Sequence, residues 1–153
     1  MKNVTVPLEE TGPIDYLVVE YPGNHMTGEA FPILLELVDH GLIRVLDLVF
    51  VRKELDGSVA AVMIPDLVAG GAVYLQVFEG ASSGLLGQDD IDEASLAIEP
   101  GSTAAILVYE NVWAAPFAAA LRRSGAQLVA NGRIPVQAIV AALDALDAAD
   151  SAQ

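Results

Sequence analysis

Cysteine is absent from this chain of 153 residues, and basic side chains are scarce, with 7 Lys and Arg against 21 Asp and Glu for a net charge of −14. Without cysteine there is no disulfide framework, no thiolate metal site and no cysteine nucleophile, and nothing in the sequence marks a redox compartment. A surface of that sign repels phosphate backbones and anionic headgroups, so nucleic acid and acidic membrane are poor partners.

Long hydrophobic runs are also missing, although 54% of positions are apolar and the mean hydropathy is +0.48. The longest charge-free run, Leu67 to Phe78, contains two glycines and a Gln. It falls short of the roughly 18 apolar residues that a spanning helix requires. The start, MKNVTVPLEETGP, has no apolar segment before its two glutamates, which is not the pattern of a secretory signal. A cytoplasmic address is expected. High apolar content without a span has two outlets, a well-filled core or an apolar surface covered by another subunit.

The pattern along the chain gives alternating strands and helices. Residues 1–12 read as a polar leader, 13–148 as one domain with an insertion at 65–98, and 149–153 as a tail. Ile14 to Tyr21 is rich in aromatic and β-branched residues and stops at Pro22-Gly23, as a strand does before a turn. Phe31, Leu34, Leu35 and Val38 follow helical spacing, with a stop at His40-Gly41. Ile43 to Arg52 reads as a strand that turns at Asp56-Gly57 into Ser58 to Ile64, and Ala72 to Phe78 as a further strand inside the insertion. The second half repeats the outline. Thr103 to Tyr109 is a strand, Trp113, Phe117, Ala120 and Leu121 form a helical stripe ended by Gly125, Ala126 to Ala130 is a strand, and Pro135 to Leu146 is an added helix. Two strand-helix-strand halves predict an α+β, ferredoxin-like βαββαβ sheet with its helices on one face.

Three stretches carry a family likeness: GPIDYLVVEYPGN at Gly12 to Asn24, IRVLDLVFVRKELDGSV at Ile43 to Val59, and DDIDEASLAIEPGSTAAILVYEN at Asp89 to Asn111. In these the chain resembles the actinobacterial domain-of-unknown-function family 6325. That family is similar in layout to the wider bacterial domain-of-unknown-function family 1269, whose members carry a long glycine-rich hydrophobic stretch before the acidic helix. Here the stretch shrinks to Ala69 to Gly87, too short to span. The resemblance implies a fold and no activity.

Each chemical motif has a structural explanation beside it. Asp89, Asp90, Asp92 and Glu93 lack the ligand spacing of a calcium loop and suit an acidic helix start, so no metal is expected. Gly80-Ala81-Ser82-Ser83-Gly84 spells G-x-S-x-G, but no helix follows at once and both histidines precede Ser82, against the triad order of that fold. No Walker loop or dinucleotide fingerprint occurs, and no cofactor is expected. Arg122 and Arg123 suit a helix C-terminus. The loop residues Asn24, His25, Thr27 and Glu29 at a sheet end are the candidate ligand loop.

The strand Ile43 to Arg52 is apolar on both alternating sets. Arg44, Leu46, Leu48, Phe50 and Arg52 are assigned to the helix layer. Val45, Asp47, Val49 and Val51, with a carboxylate in their midst, are assigned to a partner subunit or the terminal helix. The sequence therefore reads as a homo-oligomeric interaction or scaffold protein without catalysis. A small-molecule-binding protein or enzyme with a pocket between sheet and helices is the alternative, and peripheral membrane attachment through Leu67 to Phe78 a third.

Overall fold

The computed structural model describes residues 10–24, 26, 28–127, 129, 130, 132 and 134–151. Four strands, β1 (Ile14–Tyr21), β2 (Ile43–Lys53), β3 (Val59–Val62) and β4 (Thr103–Asn111), form one antiparallel sheet in the order β1-β4-β2-β3. Helix α1 (Phe31–Asp39) joins β1 to β2, which flank β4. The path from β3 back to β4 runs through α2 (Ile64–Ala69), a 3-10 segment Val73–Phe78 and α3 (Gln88–Ser95). After β4 come α4 (Ala115–Arg123) and α5 (Val136–Ser151). The α+β class of the sequence reading holds.

The central strand explains the sheet. β4 reads TAAILVYEN, apolar on successive residues, and is buried from Thr103 through Glu110. A strand with that pattern needs cover on both faces. On one face Leu48, Phe50, Ala105 and Leu107 pack with Phe31 of α1, Ile64 and Leu67 of α2, and Leu75 and Phe78 of the 3-10 segment. On the other, Val51, Ala104 and Ile106 pack with Ile91 and Ala94 of α3 and with Ile98. Helices thus lie on both faces rather than on one. The run Ala72 to Phe78 is helical because Leu75 and Phe78, three apart, both turn inward, which a strand's alternation would forbid.

A bulge in β2 overturns the two-set reading of that strand. Val45 pairs with Tyr109 and Asp47 with the next residue, Val108, so Leu46 is an extra residue and the alternation flips there. Val45 accordingly shares a face with Leu48 and Phe50, while Val49 and Val51 lie on the α3 face. Val45, Asp47, Val49 and Val51 form no common surface. All but Val49 are buried, and Val49 packs against the α3 cluster.

Two expectations in the second half also differ. Ala126, Gln127, Val129 and Ala130 form no strand and are exposed, because no neighbouring strand offers them a ladder. Helix α4 forms as its period predicts, yet the stripe points outward: Trp113 is 66% exposed and Phe117 69%, while Ala119 is the residue of that helix that is buried. Periodicity identifies a helix, not what covers it.

Candidate functional site

The candidate ligand loop leaves β1 through the 3-10 turn Pro22–Asn24, where Gly23 and Asn24 both have positive φ (67° and 60°). That turn brings the Asn24 side chain over the sheet, where its Oδ1 accepts a hydrogen bond of 2.5 Å from the hydroxyl of buried Thr103. Asn24 thereby ties the loop to β4. Gly28 has φ +76°, and a Cβ there would stand 3.0 Å from the Leu75 side chain, so the loop is pressed onto the 3-10 segment. Glu29 is exposed just ahead of α1. His25 and Thr27 lie outside the described residues.

Asp47 is fully buried, and its carboxylate has a structural occupation. Oδ1 accepts the Ser83 N–H at 2.9 Å and Oδ2 the Leu86 N–H at 2.8 Å, while the Ser83 hydroxyl donates to the Leu46 carbonyl at 2.6 Å. β3 pairs only with Phe50 to Lys53, which leaves the earlier part of β2 without a neighbour on that side. The segment from Ala81, packed on the α1 face, to Leu86, packed on the α3 face, crosses this open edge. The bulge supplies the carbonyl, and Asp47 grips the crossing chain. Of the G-x-S-x-G letters, Ser83 is the one that makes these bonds.

Glu110 is likewise buried and engaged. Its Oε1 lies 2.7 Å from the Arg44 guanidinium, directly across the β2–β4 ladder, and its Oε2 accepts the Gly12 N–H at 2.8 Å. The Arg122 guanidinium donates to the Thr11 carbonyl at 2.6 Å, so the ends of β4 and α4 hold the stretch that enters β1. Gly12 is needed there, because a Cβ would come within 2.2 Å of the Asn111 carbonyl oxygen.

The acidic run proves to be the start of α3. Asp90 at the third helical position accepts the Gly87 N–H at 2.9 Å, the carboxylate half of a capping arrangement, with Gly87 itself at the N-cap. Among the described residues no group of three or more His, Asp or Glu is placed to hold a metal ion.

Two depressions lie at β1. The first, about 290 Å³, lies between β1 and α1 and is walled by Leu17, Val19, Ile33, Leu34 and Leu37 over a floor of Leu48 and Leu107. The second, about 520 Å³ on the opposite face, is lined by Ile14, Tyr16 and Val108 and rimmed by Asp15, Asp90 and Glu93. The stripe Phe31, Leu34, Leu35, Val38 does not include Ile33 and Leu37. Their own i, i+4 spacing off that stripe is the sequence signal that α1 serves a second apolar contact.

Tyr21 closes one end of the first depression, and burial pushes its phenol up from its ordinary value. The fold thus prefers the neutral phenol. Its contribution is complete below the unfolded-state pKa of about 10 and is lost as pH rises through the higher folded-state value. Urea midpoints measured across the alkaline range should therefore fall less steeply for Tyr21→Phe than for the parent. Parallel curves would remove Tyr21 as a cause.

Among the described residues no helix is long and apolar enough to cross a membrane. No curated protein and no solved structure matches the chain. The model of a family of unknown function, DUF6325, matches residues 10–151, nearly the full length, and the chain belongs to that family.

Proposed function

We propose that this chain is a self-associating interaction or scaffold protein with no chemistry of its own. The observation that carries the reading is an exposed apolar stripe on each of its last two helices. Trp113 in the turn before α4 and Phe117 and Leu121 on it are exposed, and Val136, Ile139, Val140, Leu143 and Leu146 of α5 are each between 46% and 73% exposed. Scattered apolar residues on a surface need no explanation, but stripes along helices mark contact surfaces. The net charge of −14 opposes close approach of two copies, so salt should strengthen assembly.

The ligand-binding alternative is favoured by the groove between β1 and α1. Binding sites for small molecules combine apolar walls with a few convergent polar groups, and among the described residues this groove offers the Tyr21 phenol alone. Glu110, the buried carboxylate best suited to such a role, is engaged by Arg44 and Gly12.

Native mass measurement at micromolar concentration, repeated at low and high salt, tests both readings. The expected result is a multimer without a retained small molecule, more populated at high salt. A bare monomer throughout would overturn the interaction reading, and a stoichiometric adduct would replace it with the ligand-binding one.

A further inference from the structure

Resting on the self-association reading, we propose that the groove between β1 and α1 receives helix α5 of a second copy of this chain, giving a dimer with exchanged helices. Two complementary unpartnered surfaces sit on one molecule. The stripe of α5 follows the i, i+3, i+4, i+7 spacing, and every described residue from 134 to 151 is exposed. The groove has aliphatic walls of the kind such a stripe packs against.

Charge selects between the two depressions. Helix α5 carries Asp144, Asp147 and Asp150 and no basic residue. Asp15, Asp90 and Glu93 at the acid-rimmed depression would repel it, whereas among the described residues no charged side chain lines the groove beside α1. Reach is sufficient. Arg122 fixes the end of α4 beside the entry to β1, and a connection of the length of 124–135 can span at most roughly 40 Å.

A second copy is the occupant because the folded chain holds α5 undocked while its own groove stands open. Reciprocal exchange about a two-fold axis then uses each surface once and closes the assembly at two. The interface unites surfaces that the helical periodicity left without a partner.

The chain has no cysteine, so introduced thiols report unambiguously. Ile33→Cys at the groove (62% exposed) and Leu143→Cys on α5 (57% exposed) are made in separate full-length chains, one bearing a mass tag, then mixed and oxidised. Tyr16→Cys at the acid-rimmed depression, paired with Leu143→Cys, is the control. The expected product is a covalent heterodimer several-fold more abundant than the control, which only copy-to-copy docking can form. With both cysteines in one chain, a monomer carrying an internal disulfide would show that α5 folds back on its own groove, overturning the exchange. Cross-linking no better than the control, in a chain that is dimeric by light scattering, would place the contact elsewhere and leave self-association standing. A monomer at every concentration would defeat both. As a second measurement, Leu143→Asp alters an exposed position and should leave the circular dichroism unchanged while weakening the dimer at least tenfold. Unchanged assembly of that variant would also overturn the proposal.

Discussion

Asp47→Ala should destabilise the fold by about 3 kcal/mol, with the loss read as a lower urea midpoint at unchanged slope. The carboxylate is wholly buried and accepts the N–H groups of Ser83 and Leu86. Hydrogen bonds to a charged acceptor contribute about 1.5–3 kcal/mol each, and truncation removes two of them from part-buried donors that water can partly re-satisfy. Relief of the desolvation cost of a buried carboxylate offsets part of that sum. Asp47→Asn keeps one acceptor oxygen and should lose less. Ser83→Ala, which retains its backbone N–H and loses the bond to the Leu46 carbonyl together with a long one of 3.4 Å accepted from the Leu85 N–H, should cost about 1 kcal/mol. Amide exchange should accelerate first at Ser83 and Leu86, whose N–H groups the carboxylate accepts. A loss below 1 kcal/mol in Asp47→Ala would show that the crossing segment is held by something else.

Phe31→Ala is expected to cost about 3–5 kcal/mol, the range for emptying a buried aromatic site. Phe31 opens α1 and touches two other rings, Phe50 of β2 at 5.8 Å and 53°, and Phe78 of the 3-10 segment at 5.6 Å and 70°. Such tilted and edge-on pairs add about 0.5–1.5 kcal/mol each beyond area burial. The ring is thus the joint between the sheet, the first helix and the chain that returns over the same face. In a chain of this length the loss corresponds to a melting temperature lower by on the order of 10 °C. Phe31→Leu keeps most of the volume and should lose less than half as much. Equal losses for Ala and Leu would mean that ring geometry, rather than filled volume, governs the site.

The local elements were legible where a segment's own pattern determines its conformation. The bounds of β1 match the sequence reading residue for residue, and α1 starts on Phe31 and stops at His40-Gly41 as its stripe and glycine imply. The hairpin turn is visible in Asp56-Gly57, where the Asp56 carboxylate accepts both the N–H and the hydroxyl of Ser58. Long-range relations were not legible. Alternation in β2 contains no mark of the extra residue at Leu46, because a bulge arises from pairing with β4. Asp47 was nevertheless the visible exception: a carboxylate amid an apolar strand has to meet donors somewhere, but these are backbone N–H groups of a later loop, which no side-chain pattern marks. The outward turn of Trp113 and Phe117 was hidden for the opposite reason, since apolar period is the same whether a helix faces its own core or a partner. Asn24 was legible as a loop residue, but its bond to Thr103 joins positions 79 residues apart.

The position of β4 in the middle of the sheet has a consequence for synthesis. It is the last of the four strands to be made, yet both β1 and β2 depend on it, and Gly12 must find Glu110 across 98 residues. Among the described strands, a nascent chain therefore has the β2–β3 hairpin as its only ladder until residues 103–111 emerge. At translation speeds of about 5–20 residues per second, β1 waits on the order of ten seconds without a neighbour. An apolar strand left open that long invites pairing with other chains. Asp15 and Glu20 bracket the run Tyr16 to Val19, and like charges at those positions disfavour pairing of one copy of β1 with another, both in the nascent chain and at the sheet edge that β1 still forms once β4 has arrived.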